Sequence, residues 1–152
     1  MNWEAIGAIG EIVGAAAVFA SLVYLAMQIK TQNNESKIAS VNEILTTHRD
    51  VTSMVVLPEN AELILKSISE PSMLTKSELI QINAFNMLVF RNFENAFYQT
   101  SRGRLDNHIW MGLKGELDDY IQTEIAKGTW QRRKHQFGTE FQDFMNSSYK
   151  LD

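Results

Sequence analysis

The chain has 152 residues, 45% of them apolar and 21% charged, with a net charge of −4. That length suits one domain with a sizeable core, and the acidic balance argues against a general nucleic-acid binder. The absence of cysteine excludes disulfides, thiolate metal sites and cysteine nucleophiles, and two prolines fit a helical chain.

The first element is apolar. Ile12 to Ile29 holds eighteen residues without a charge. Extended back to Trp3 as a helix at about 1.5 Å per residue, the run covers roughly 40 Å, which crosses a hydrocarbon core of about 30 Å with some tilt. Trp3 at one end, and Tyr24 with Lys30 at the other, have the character of interfacial anchors. The opening Met-Asn-Trp-Glu is acidic and the run is long, both unlike a cleaved signal peptide. Residues 3–29 are therefore expected to form a transmembrane helix, and a core helix of a soluble oligomer is the alternative. No Lys or Arg precedes the run, whereas Lys30, Lys37 and Arg49 follow it. The positive-inside rule then puts the N-terminus outside and residues 30–152 in the cytoplasm.

Within this run Gly7, Gly10, Gly14, Ala17 and Ser21 recur at spacings of 3, 4, 3 and 4. Small side chains in such a seam allow two backbones to approach closely in lipid, where packing rather than the hydrophobic effect drives association. Ile6, Ile9, Ile12, Val13, Phe19, Leu22 and Val23 fall mostly off the seam. Glu4 and Glu11 flank it. In a parallel oligomer Glu11 would repeat as a ring of carboxylates able to hold cations or relay protons; the plainer reading is that it snorkels to the headgroups.

The helix is free to continue into the cytoplasm, since no Pro or Gly occurs between Ala15 and Leu57, although Asn33 and Asn34 could bend it. Apolar residues return at Ile38, Val41, Leu45, Val51 and Val55 with helical spacing. Pro58 opens a short helix to Ile68, and Ser69–Ser72 is a turn. Thr75-Lys-Ser-Glu78 is a capping box that opens a central helix ending near Arg102, with Gly103 beyond it. Its apolar set is Leu79, Ile82, Phe85, Met87, Leu88, Val89, Phe90, Phe93 and Phe97, read as core. Arg91 and Glu94 are placed to pair with each other or to hold neighbouring helices. Asp106 is expected to cap a helix running to about Ala126, with a break at Lys127–Thr129. A short helix Trp130–Phe137 and a terminal helix opened by a second capping box, Thr139–Gln142, complete the chain.

No phosphate-binding loop, dinucleotide fingerprint, zinc-protease or nucleophile-elbow motif is present in the sequence. His48, His108 and His135 are scattered and are expected at the surface or in caps. The acidic group Glu116, Asp118, Asp119 and Glu124, and the basic group Arg132 to His135, are read as solvated faces. No catalytic residue, cofactor or metal is expected.

The opening WEAIGAIGEIVGAAAVFASLVYLAMQIK resembles that of a widespread family of small bacterial membrane-anchored helical proteins without an assigned activity. The resemblance extends to Phe90–Gln99, to Gly103–Asp106, and to Trp130 and Phe141. It implies a bacterial membrane protein, and a recurring polar motif on one helix formed by Arg91, Glu94, Asn95, Tyr98 and Gln99. The expectation is an all-α, non-enzymatic, single-span protein that self-associates as a scaffold or a cation-conducting pore. An accessory subunit of a larger membrane complex is the alternative partner arrangement.

Overall fold

A computed structural model describes residues 2–151, and every regular element among them is helical. Helix α1 covers Trp3–Val55 and passes unbroken through Asn33 and Asn34. The chain divides into two units between Ala39 and Ser40. The first unit is helical with exposed side chains throughout its described positions. One stretch of it has a mean hydropathy of 2.0 with none of its residues buried, and by length and composition the helix can cross a membrane.

The second unit holds the end of α1 and five further helices: α2 (Pro58–Ser69), α3 (Lys76–Ser101), α4 (Asn107–Tyr120), α5 (Glu124–Arg133) and α6 (Thr139–Tyr149). Tight 3-10 turns lie at Pro71–Met73 and Lys134–Gln136. Helix α3 is central and packs against α2, α4, α5 and α6. Its start is fixed by sequence. The Thr75 hydroxyl accepts the Glu78 N–H at 3.2 Å while Glu78 accepts the Thr75 N–H at 2.7 Å, so two donors orphaned at the helix start are satisfied reciprocally. Its end is fixed by Gly103, whose φ of 67° lies in the left-handed region that costs glycine nothing.

Phe90, Trp130 and Phe141 are fully buried at the centre of the core. Phe90 and Trp130 lie 5.3 Å apart between ring centroids, and Trp130 meets Phe141 edge to face at 5.6 Å. Ile44 and Val51 of α1 join the same core, as do Met145 and Leu151. Leu151 reaches it because Lys150 adopts a left-handed φ of 52°, turning the chain back at the end of α6. Two members of the expected central set, Leu79 and Leu88, are exposed. In their place Asn86, Asn92 and Glu94 are buried.

Four local expectations are corrected. The helix after Asp106 stops at Tyr120, not near Ala126, because Thr123 opens a new helix by accepting the Ala126 N–H. Lys127-Gly128-Thr129 is no break: it lies inside α5, where burial of Ala126, Thr129 and Trp130 overrides the weak helix propensity of Gly128. The expected Trp130–Phe137 helix is instead the end of α5 followed by a 3-10 turn. Thr139 does not cap α6; Gly138 holds the extended cap position, and the Gln142 side chain donates back to the Phe137 carbonyl at 2.7 Å. Asp106 does occupy the cap position of α4, without a side-chain cap bond.

Helices α2 and α3 are clasped by Lys66, whose ammonium lies 2.8 Å from both Glu78 oxygens. That hydrogen bond, helped by the bonds from Thr75, holds the Glu78 carboxyl down from its ordinary 4.5 to about 2. A depressed carboxyl stabilises the fold above its unfolded value and loses that contribution as pH falls through the folded one. Thermal melts of the parent and Glu78→Gln should therefore differ most above about pH 4.5 and converge as the pH approaches about 2. A difference that stays constant across that window would remove the clasp from the account.

Candidate functional site

The small-residue seam lies on one stripe of α1. At about 100° per residue, Gly7, Gly10, Gly14, Ala17 and Ser21 fall within roughly 80° of arc, and Glu4 and Glu11 lie roughly 40–60° to one side of Gly7. All seven are exposed. A Cβ added at Gly7, Gly10 or Gly14 would meet no atom within 4 Å, so that face is open to another surface. The Ser21 hydroxyl donates to the Ala17 carbonyl at 2.9 Å and is thus satisfied within the helix.

The polar motif of α3 resolves into two adjacent stripes. Arg91, Glu94 and Tyr98 face the start of α6. Glu94 is buried; it pairs with Arg91 and accepts the Gly138 N–H at 2.7 Å. Arg91 also donates to the Gln136 carbonyl at 2.6 Å and lies over the Phe137 ring at 4.3 Å. This stripe acts as a bracket: a carboxylate on α3 supplies the acceptor for the Gly138 N–H at the cap of α6.

Asn95 and Gln99 face the second-unit part of α1. Asn95 donates to Glu43 at 3.3 Å, and Gln99 lies 3.5 Å from both Asn95 and Ser40. The same stripe continues to Asn92, which the sequence reading passed over. Asn92 donates toward His48 Nδ1 at 3.2 Å, and His48 Nε2 lies 3.1 Å from Glu116. His48 is thus half-buried in a chain of three polar side chains rather than free at the surface. The spacing Asn92, Asn95, Gln99 repeats 3 and 4, and that periodicity was the available signal.

A second buried network ties α3 to α4 and α5. The Tyr120 hydroxyl donates to Asn86, and Asn86 donates to Thr129 at 2.9 Å. Arg132 donates to Asn83 at 3.0 Å, and the Thr129 hydroxyl lies 2.9 Å from the same oxygen. Burial pushes the Tyr120 hydroxyl up, so it stays a donor.

The acidic residues of α4 and α5 do not converge. Glu116 holds His48, Asp118 holds Lys114 and Tyr149, and Glu124 holds Lys127. Burial alone would raise the Asp118 carboxyl, but the bonds from Lys114 and Tyr149 outweigh it and leave it lowered. Among the described residues no group of three or more His, Asp or Glu is placed to hold a metal. Of the basic group, Arg132 turns to Asn83 and Lys134 to the Leu151 carbonyl. The chain matches no protein-family model, no curated protein and no solved structure.

The bracket at α6 leaves no space at Gly138, where a Cβ would collide with the Tyr98 hydroxyl. Gly138→Ala should cost about 1–3 kcal/mol, the usual range for overpacking, measured by denaturant unfolding. Adding Tyr98→Phe should restore part of the loss; equal stability of parent and Gly138→Ala would remove the steric argument.

Proposed function

We propose that this is a non-enzymatic membrane scaffold: one N-terminal span, a self-associating seam on that span, and a helical domain in the cytoplasm. The observation that carries it is an apolar helix with no cover. Ile9, Ile12, Val13, Phe19 and Leu22 are each more than half exposed. Each such side chain gains about 1.5–3 kcal/mol when removed from water. Lipid covers all of them at once, and the length of the helix suits a bilayer.

The seam gives the span a reason to associate. Its glycines offer backbone to a neighbour while the bulky residues keep contact with lipid. Glu11 flanks the seam instead of lying in it, which favours a closely packed bundle over an open pore lined by carboxylates. A scaffold in which the cytoplasmic unit is displayed in several copies follows from these two features.

Two measurements test this reading. With the basic residues following the span, a reporter fused after Asp152 should be active in its cytoplasmic form; activity of the exported form would reverse the topology. Gly14→Ile places a branched side chain where two backbones should meet, so the mass in mild detergent should fall toward the monomer while insertion persists. An unchanged mass distribution would exclude the seam as the interface.

A further inference from the structure

We draw no further inference here: the strongest candidate, the apolar groove of about 440 Å³ that Met54 at the end of α1, Leu63 and Ile64 of α2, and Phe85 and Leu88 of α3 line, carries nothing, because nothing in the structure shows what covers it.

Discussion

A helix enclosed by its neighbours needs partners for the polar groups it buries, and α3 draws them from a different neighbour each time. Asn86 bonds to Tyr120 of α4 and Thr129 of α5. Glu94 takes the Gly138 N–H ahead of α6. Asn92 reaches His48 on α1. Apolar packing tolerates small rotations and slides, whereas a buried amide or carboxylate is satisfied at one register. These three residues therefore set where α1, α4, α5 and α6 sit on α3, while Phe90 and its aromatic neighbours lie in the apolar core between them. Asn92 is the one of the three that leaves an oxygen without a donor.

The two units obey opposite rules. In the second, the core side chains turn inward and several charges pair at the surface, as at Lys66–Glu78 and Lys114–Asp118, although Val56, Leu65, Ile68 and Ile80 stay exposed. In the first, the bulky apolar side chains are the exposed ones. Water accounts for the second arrangement. In the first, Gly7, Gly10 and Gly14 leave a narrow stripe of backbone open among the bulky side chains.

What could be read from sequence was whatever local chemistry decides. The capping box at Thr75, the left-handed Gly103 and Pro58 at a helix start each act over a few residues, and each stands where expected. The all-helical class and the length of the apolar helix were legible for the same reason. Residues 121–142 were misread because distant partners decide them. Gly128 stays helical since Thr129 and Trp130 must point into the core, and Gly138 rather than Thr139 caps α6 since its acceptor, Glu94, lies far back in the chain. The polar motif was recognisable as a group, but its division between α6 and α1 depends on a rotation of about 100° between successive residues. His48 looked isolated because Asn92 and Glu116 are brought to it only by folding.

The core draws on residues from Ile44 to Leu151, with Phe141 and Met145 among its fully buried members. During synthesis, therefore, α3 cannot be enclosed until this late part of the chain has been made. At about 5–20 residues per second the interval between the two ends of the core is on the order of ten seconds. The apolar part of α1 emerges before any of them. For that interval the nascent chain presents an uncovered apolar helix and an unfinished bundle together.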